Sequence, residues 1–204
     1  HTPEGGLVLE STIFYPTGGG QPGDSGTIHW QGGQLKVATT VKAPEGGVVL
    51  LAAAPEALPP VGAEVFQDLD WDRRYRIMQM HTALHLLSVI ISLPVTGGAV
   101  GSEKGRLDFN MPDAAPEKAL LQTDLNALIS RDLPVTDSWI SDAQLAEKPH
   151  LIKTMSVKPP VGAGQVRLVQ IGNAPSVIDL QPCGGTHVAR TGEIGPLAVS
   201  YTHL

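Results

Sequence analysis

The sequence changes its period at residues 72–92, which read DRRYRIMQMHTALHLLSVIIS. Asp72 can cap a helix over these residues, and the helix must end before Pro94 because the residue preceding a proline disfavours helical backbone. His81 and His85 lie one turn apart on a surface that Ile, Leu and Met side chains make largely apolar. We therefore predict a largely buried helix that carries two imidazoles on one face.

The chain before this helix is predicted to form β-structure. Gly supplies 23 and Pro 17 of the 204 residues, an abundance that favours tight turns and short strands over a helical bundle. Short apolar and β-branched segments between these breakers indicate a small barrel or sandwich. The expected strands cover residues 7–15, 25–30, 35–41, 48–52 and 63–69.

The chain after this helix is predicted to mix helices and strands, which is typical of an α+β domain. A second helix is expected from Asp113, which can cap it, through Pro116 in its first turn to about Arg131, and a short third helix at residues 141–148. Strand-like segments lie at residues 105–109, 135–140, 165–171, 177–180 and 196–201.

Charge is distributed unevenly along the chain. The formal net charge is −6, yet residues 1–72 hold two bases and nine acids, a net of −7, whereas residues 73–204 hold twelve bases and eleven acids, a net of +1. Together with the change of period, this asymmetry indicates two domains, residues 1–71 and residues 72–204, of which the second is better suited to contact a phosphate backbone. Both ends look clipped, since no initiator Met is present and the last residues directly follow an expected strand.

The single cysteine bears on the cellular compartment. Cys183 has no partner for an intrachain disulfide, so we expect a cytoplasmic protein in a reducing environment. No apolar run approaches the roughly 20 residues that a membrane helix needs, and no signal peptide opens the chain.

Two short motifs, about one hundred residues apart, carry the chemistry. His81-Thr-Ala-Leu-His85 places two imidazoles on one helix face, where both nitrogens can meet one ion. Cys183-Gly-Gly-Thr-His187 adds a thiolate and a third imidazole, and its two glycines permit a tight loop that turns both side chains inward. This donor set suits Zn²⁺, because Ca²⁺ and Mg²⁺ prefer oxygen ligands.

Each motif also has a plainer interpretation. Two histidines on an apolar helix are often core side chains bonded to carbonyl groups, and a single buried cysteine is usually a small apolar side chain. The pairing of the chain's one cysteine with a histidine in a glycine-rich loop favours metal binding. Structural and catalytic zinc both remain compatible with these residues.

Three motifs together resemble a known family. His81-Thr-Ala-Leu-His85, followed by Cys183-Gly-Gly-Thr-His187-Val-Ala-Arg-Thr-Gly-Glu-Ile-Gly195, resembles the editing domain of alanyl-tRNA synthetases and the free-standing alanyl-tRNA editing proteins of the AlaX type. Upstream, Phe14-Tyr-Pro-Thr-Gly-Gly-Gly-Gln-Pro-Gly-Asp-Ser-Gly26 resembles the glycine-rich loop of that family. The resemblance spans nearly the whole chain, with the motifs in the family's order.

The resemblance implies a fold and an activity. The fold is α+β, with a small N-terminal β-barrel followed by the editing domain shared with threonyl-tRNA synthetases. The implied activity is trans-editing by a carboxylic ester hydrolase, which deacylates mischarged seryl-tRNA(Ala), with glycyl-tRNA(Ala) as a further candidate substrate. The implied partner is the acceptor end of tRNA(Ala). One zinc ion per chain is implied at His81, His85, Cys183 and His187. Neither DNA nor a membrane is an expected partner, and ATP is not an expected cofactor.

Two other classes of function stay open on the sequence. One is a zinc-stabilised module that binds RNA or protein without turnover, and the other is a fragment of a full alanyl-tRNA synthetase. The glycine run at residues 18–20 lacks the Gly-Lys-Ser/Thr ending of a P-loop and precedes a strand, which argues against ATP binding. We expect it to let backbone approach the tRNA, with Asp24 stabilising its turn.

Some residues are candidates for reading the substrate. A pocket built to bond a hydroxyl rejects a substrate that lacks one, so discrimination of serine from alanine needs a polar reader. Thr96, in the expected loop after the first helix, is the first candidate, with Gln21 and Thr82 behind it, although Thr82 is more simply a helix threonine bonded to a carbonyl. Basic candidates for phosphate contacts are Arg73, Arg74, Arg76, Lys104, Arg106, Lys153 and Lys158.

Overall fold

The computed structural model describes residues 2, 6–43, 46–55, 57–111, 116–153 and 164–200, which form a mixed α/β architecture. The strands are β1 Leu7–Val8, β2 Gly26–Trp30, β3 Gly33–Lys42, β4 Val48–Ala52, β5 Phe66–Leu69, β6 Val95–Val100, β7 Gly105–Phe109, β8 Val135–Ser141, β9 Gln165–Ile171 and β10 Asp179–Pro182. The helices are α1 Trp71–Ile90, α2 Lys118–Ser130 and α3 Asp142–Ala146, with 3₁₀ turns at Pro149–Leu151 and Thr191–Ile194. No helix of the described residues is long and apolar enough to cross a membrane.

The first five strands form one antiparallel sheet, which we call the N-terminal sheet. Its order is β1-β4-β3-β2-β5, and a buried cluster lies against it. Among the described residues β1 and β5 are unpaired edges, so the sheet is open rather than the closed barrel that the family resemblance implies. The expected hairpin at Gly32 is present, since Trp30 pairs with Gly33 and Gly32 has the positive φ of 104° that this tight turn requires. The strand expected at residues 7–15 is only two residues long.

Helix α1 begins two residues earlier than the sequence predicts. Its N-cap is Asp70, whose carboxylate accepts from the backbone N–H of Arg73 at 3.2 Å, and Asp72 lies in the first turn instead. The side chains of Ile77, Ala83 and Leu86 are buried, as the apolar pattern of the helix predicts.

Helix α2 and the sheet of order β10-β9-β8 pack beside α1. The N-cap of α2 is Glu117, and Pro116 lies just before the helix rather than inside its first turn. Asp113, the expected cap, lies outside the described residues. The core shared by these elements consists of Ala83, Leu86, Leu125, Ile129, Ile171, Val188 and Ile194.

Two expectations about strands are wrong, each for a physical reason. The sequence predicts a loop at Thr96, but this residue lies in strand β6, which pairs with β7. The glycines of β6 do not prevent the pairing, because the strand accommodates an irregularity, a register shift between Val95 and Gly97. The strand expected at residues 196–201 is not seen over 196–200, and residue 201 lies outside the described residues. Side-chain amides of helix α2 replace a strand partner there, because Asn126 and Gln122 accept from backbone N–H groups of that segment.

The glycine-rich turn at residues 18–21 joins the N-terminal sheet to the rest of the protein. The backbone N–H of Val100 in β6 donates to the carbonyl oxygen of Gly20 at 2.8 Å. Behind the turn, Asp24 is almost fully buried, accepts from the backbone N–H of Tyr15 at 2.5 Å and pairs with Arg74 of α1. Asp24 therefore stabilises the turn as predicted, and the turn is held against both α1 and β6.

Candidate metal centre and cavity

Four side chains that are distant in sequence meet at one point, and we call them the His–Cys cluster. One donor atom each from His81, His85, Cys183 and His187 lies within 4.8 Å of the others. Helix α1 supplies the first two, one turn apart. The other two come from the irregular segment that follows β10. The structure thus brings together the four residues that the sequence predicts as metal ligands.

Gly185 allows the loop to approach the helix. A Cβ atom at this position would lie 2.2 Å from Cε1 and 2.5 Å from Nδ1 of His81, and 2.8 Å from Oε1 of Gln21. Real Cβ atoms do not come so close to other heavy atoms, so only glycine fits there. The side chain of Arg167 holds the same loop, because its Nη1 donates to the carbonyl oxygen of Gly185 at 2.8 Å.

The orientation of His81 is set by Gln21. The Oε1 atom of Gln21 accepts from the backbone N–H of Thr186 at 3.0 Å, which identifies that atom as the amide oxygen. The same oxygen lies 2.8 Å from Nδ1 of His81, so Nδ1 must be the donor and carry the proton. The lone pair of His81 is therefore at Nε2, which lies 3.5 Å from Sγ of Cys183.

The orientation of His85 is set by a buried carboxylate. Nδ1 of His85 donates to Oδ2 of Asp179 at 2.9 Å, while Lys153 at 2.5 Å and Gln181 at 2.8 Å also donate to this carboxylate. Burial alone would raise the pKa of Asp179, but these three partners outweigh it and lower the pKa to about 2. Asp179 is therefore an ionised acceptor that leaves Nε2 of His85 for the cluster.

The third imidazole is held by a helix threonine. The hydroxyl of Thr82 donates to the carbonyl oxygen of Met78 at 2.9 Å and accepts from the backbone N–H of Val188 at 3.3 Å. Nδ1 of His187 lies 3.1 Å from this oxygen and is its second donor. Each of the three imidazoles thus has its Nδ1 engaged by a different protein group, the arrangement by which proteins orient metal-ligating histidines.

The surroundings of the cluster shift the pKa values of its side chains in different directions. Burial lowers the pKa of His85, but Asp179 and Cys183 outweigh that effect and raise it to about 9, so a bound metal would displace a proton there. Burial raises the pKa of the Cys183 thiol, but the side chains of His187, His81 and His85 around its Sγ outweigh that effect and hold the pKa well below the usual range. Burial lowers the pKa of His187 to about 3, which keeps that imidazole neutral. A thiolate beside imidazole nitrogens is a donor set that fits zinc and other borderline-soft divalent metals.

A cavity of about 470 Å³ lies over the cluster. His81, His85 and Cys183 line it, and Gly19 and Thr96, both exposed, lie at its outer part. Apolar side chains supply much of the remaining wall: Leu84, Val95, Val100, Leu107 and Ile152. The volume is within the range of about 300–1,000 Å³ that is typical of small-molecule sites.

Two family descriptions match this chain. Residues 1–73 match tRNA synthetases class II (A), and residues 166–200 match the Threonyl and Alanyl tRNA synthetase second additional domain. The "Alanyl-tRNA editing protein AlaX-M" of Saccharolobus solfataricus is 30% identical over 197 residues, which cover 95% of this chain and 81% of that protein. The chain belongs to the AlaX-type alanyl-tRNA editing family.

Other relatives are much longer than the region that this chain matches. The "Alanyl-tRNA editing protein AlaX-L" of Pyrococcus horikoshii is 32% identical over 201 residues, covering 95% of this chain and 46% of that protein. The "Alanine--tRNA ligase" of Pyrobaculum neutrophilum is 36% identical over 203 residues, covering 95% of this chain and 22% of the ligase. The chain therefore spans about a fifth of the length of the ligases that it matches.

The residues of this AlaX-type chain that the sequence predicts as readers of the serine hydroxyl divide into two groups, one in the cavity wall and one beside the His–Cys cluster. Thr96 lines the cavity, and its hydroxyl donates to the carbonyl oxygen of Asp108 at 3.2 Å. Gln21 is fully buried, does not line the cavity and contacts His81 instead. The hydroxyl of Thr82 donates to the carbonyl oxygen of Met78 one turn earlier in α1, as its plainer interpretation predicts, and it also contacts Nδ1 of His187.

Several basic candidates have structural partners in this AlaX-type fold. Arg73 donates to the carbonyl oxygen of Gly23 at 3.0 Å, and Arg74 pairs with the buried Asp24. Lys153 bonds Asp179, and Arg106 lies 3.1 Å from Asp108. Lys104 and Arg76 are exposed, and Lys158 lies outside the described residues.

The residues around His85 were missed by reasoning from the sequence. Asp179, Gln181 and Cys183 alternate along the end of β10, so a strand period of two places them on one side. Counting every second residue from Cys183 towards the N-terminus could therefore have identified Gln181 and Asp179 as neighbours of the metal ligands. No signal in the sequence indicates that Lys153 would pair with them.

Proposed function

We propose that this chain is a zinc-dependent deacylase that edits mischarged tRNA(Ala), with seryl-tRNA(Ala) as its substrate and glycyl-tRNA(Ala) as the second substrate to test. The observation that carries the proposal is the position of the His–Cys cluster, because three of its four residues, His81, His85 and Cys183, line a ligand-sized cavity. The names of the AlaX-L and AlaX-M relatives, both alanyl-tRNA editing proteins, support the same activity.

The ligand set supports zinc at this position. His81, His85, Cys183 and His187 would hold the ion, because three Nε2 atoms and one sulfur face one another while each Nδ1 is bonded elsewhere. When bound, zinc would supply Lewis acidity towards the ester carbonyl or the attacking water. A reduced thiolate at the centre also suits the reducing cytoplasm in which we expect the protein to act.

The cavity wall limits which groups can assist hydrolysis. Among the described residues that line it, none is an aspartate or a glutamate. Asp179, which lies behind His85, is fully engaged by three donors and buried. We therefore propose that no carboxylate acts as the base, in keeping with the absence of a Glu between His81 and His85, and that the protein contributes mainly by holding the ester beside the cluster.

The polar groups of the wall are the candidates for recognising serine. The wall is largely apolar, so a serine hydroxyl entering it needs one of few polar partners. We propose that Thr96 is that partner, because it carries a hydroxyl on the part of the wall formed by β6. Alanine has no hydroxyl and would leave this partner without a ligand bond, which lowers the rate for correctly charged tRNA.

The partner proposed for this site is the acceptor end of tRNA(Ala). Lys42 and the glycine-rich turn lie at the outer part of the cavity, where the terminal nucleotides would enter. Lys42 is exposed and Gly18 and Gly19 expose backbone beside it, a combination that suits a phosphate and a closely approaching sugar. Lys153, the other cation of the wall, is bonded to Asp179.

The deciding experiment is a deacylation assay with seryl-tRNA(Ala), glycyl-tRNA(Ala) and alanyl-tRNA(Ala), run before and after a chelator. We expect serine release that is lost with chelator and restored by added Zn²⁺, with little release of alanine. A protein that binds zinc but releases no amino acid would contradict the proposal and favour a non-catalytic binding module.

The synthetase alternative rests on a separate observation. The Pyrobaculum neutrophilum ligase is 36% identical over 203 residues, but these are only 22% of its length. The sequence of the complete gene distinguishes the alternatives, since a class II aminoacylation core upstream would make this chain the editing part of a synthetase. In that case the proposed deacylation would act in cis instead of in trans.

A further inference from the structure

Gln21 belongs to the glycine-rich turn at residues 18–21, and its side chain bonds residues of helix α1 and of the loop that follows β10. Its Oε1 accepts from Nδ1 of His81 at 2.8 Å and from the backbone N–H of Thr186 at 3.0 Å. Its Nε2 donates to the hydroxyl of Thr186 at 2.9 Å. One amide thus bridges the helix that carries two cluster residues and the loop that carries the other two.

The hydrogen bond between Gln21 and His81 determines which ring nitrogen of His81 carries the proton. The atom of Gln21 that accepts from the backbone N–H of Thr186 is the amide oxygen, which cannot donate, so the nitrogen of His81 facing it must be protonated. Protonation at Nδ1 leaves Nε2 as the ligating atom, and this is the nitrogen that faces Cys183. Without the amide, His81 could adopt the other tautomer or rotate its ring.

The backbone holds Gln21 rigidly in this position. Its own N–H and C=O pair with Gly18 across the turn at 3.0 Å in both directions. The neighbouring Gly20 accepts from the N–H of Val100 at 2.8 Å, which ties the turn to β6. The side chain has no exposed surface, so it reaches His81 but not the substrate.

We propose that Gln21 is a positioning residue through which the turn of the N-terminal sheet selects the ligating nitrogen of His81 and holds the loop of Cys183 and His187 against helix α1. The inference rests on the metal site of the proposed function. It replaces the sequence-based hypothesis that Gln21 meets the serine hydroxyl, because a fully buried amide outside the cavity wall has no access to substrate.

The test compares two variants of Gln21 with a matched control. Gln21→Leu keeps the approximate volume and removes all three side-chain hydrogen bonds, whereas Gln21→Glu keeps the acceptor for His81. Thr40→Val is the control, because Thr40 is equally buried and bonds Asp24 of the same segment, but does not contact the cluster. The measurements are Zn²⁺ and Co²⁺ affinity by chelator competition, thermal melting, and ¹⁵N–¹H NMR of the histidine rings.

We expect Gln21→Leu to weaken metal affinity about 10- to 100-fold, the usual cost of removing a group that orients a metal ligand. Gln21→Glu should recover most of the affinity, and Thr40→Val should lower the melting temperature without changing affinity. In the wild type with Zn²⁺, NMR should show the His81 proton on Nδ1, a measurement that does not depend on any variant folding.

Each alternative result is decisive. An unchanged affinity in Gln21→Leu, an equal loss in Thr40→Val, or a His81 proton on Nε2 would overturn the inference. A wild type that binds no metal would overturn both this inference and the zinc site. Turnover is not measured here, so a protein that shows the expected affinities but no deacylation would overturn only the proposed function.

Discussion

The two halves of the His–Cys cluster are built in different ways. His81 and His85 lie on one turn of helix α1, whose own backbone hydrogen bonds fix their spacing. Cys183 and His187 lie in a segment without regular structure, where no repeating backbone pattern fixes the distance between them. The helical half is therefore positioned locally, and the loop half is positioned by contacts with other parts of the protein.

Those contacts come from three directions. Gly185 lies against His81, Thr186 bonds Gln21, and Arg167 of β9 donates to the carbonyl oxygens of Cys183 and Gly185. Each contact is specific to one residue, so a single substitution can displace the loop while the helix stays intact. We therefore expect metal binding to be more sensitive to substitutions in the loop than to substitutions in the helix.

The largest effect is expected from removing a donor atom of the loop. Cys183→Ala should abolish stoichiometric zinc binding and reduce deacylation at least about 100-fold, because a catalytic metal contributes several kcal/mol to transition-state stabilisation. Metal content by mass spectrometry of the folded protein, read beside the deacylation rate, checks this. A variant that stays zinc-replete and fully active would remove Cys183 from the ligand set.

The next effect tests the close approach of loop and helix without touching a donor atom. Gly185→Ala would bring a methyl group within 2.2 Å of His81, so we expect about 3 kcal/mol of destabilisation, at the upper end of overpacking costs, together with weaker zinc binding. Chemical denaturation and chelator competition measure the two effects.

Gly184→Ala is the matched control for this prediction. A Cβ at Gly184 meets nothing within 4 Å, and the residue is exposed. Its stability should change by less than about 0.5 kcal/mol, as at ordinary surface positions. Equal destabilisation by the two variants would mean that the loop needs glycine for backbone flexibility and not for its approach to His81.

The same contrast between local and distant contacts explains what could be predicted from the sequence. Helix α1, strands β4, β7 and β9 and the two cluster motifs follow from periodicity and glycine or proline boundaries, which are local signals. Strand β6 was missed because its glycines resemble a turn, although β7 supplies the pairing. The open edge of the N-terminal sheet also depends on long-range pairing.

The orienting groups of the cluster illustrate the same limit. The residue types that ligate zinc could be named from the sequence, but Gln21 is 60 residues from His81, and Asp179 is 94 residues from His85. Their partners are decided by how the sheet, the helix and the loop pack, and no short pattern encodes that packing. Gln21 was therefore assigned to substrate recognition on the sequence alone.

A smaller effect is expected from the helix side. Thr82→Val removes the hydroxyl that holds Nδ1 of His187 and accepts from Val188, and we expect about a 10-fold loss of zinc affinity, at the low end for an orienting group. Chelator competition measures it. Thr123→Val is the control, because Thr123 also bonds the carbonyl four residues earlier in its helix but is exposed and remote from the cluster. A comparable loss in both variants would contradict the role of Thr82.

The smallest effect concerns recognition rather than the metal. Thr96→Val keeps the β-branched shape of a strand residue but removes the hydroxyl from the cavity wall, so the ratio of serine to alanine release should fall by up to about 10-fold, the value of one neutral hydrogen bond. Zinc content should stay constant, because Thr96 is not one of the four cluster residues and its hydroxyl donates to the carbonyl oxygen of Asp108. The control is Thr136→Val, an exposed threonine on β8 that does not line the cavity. If discrimination is unchanged in Thr96→Val, the serine hydroxyl is read by another polar group of the wall, and Ser88 and Tyr15 become the next residues to substitute.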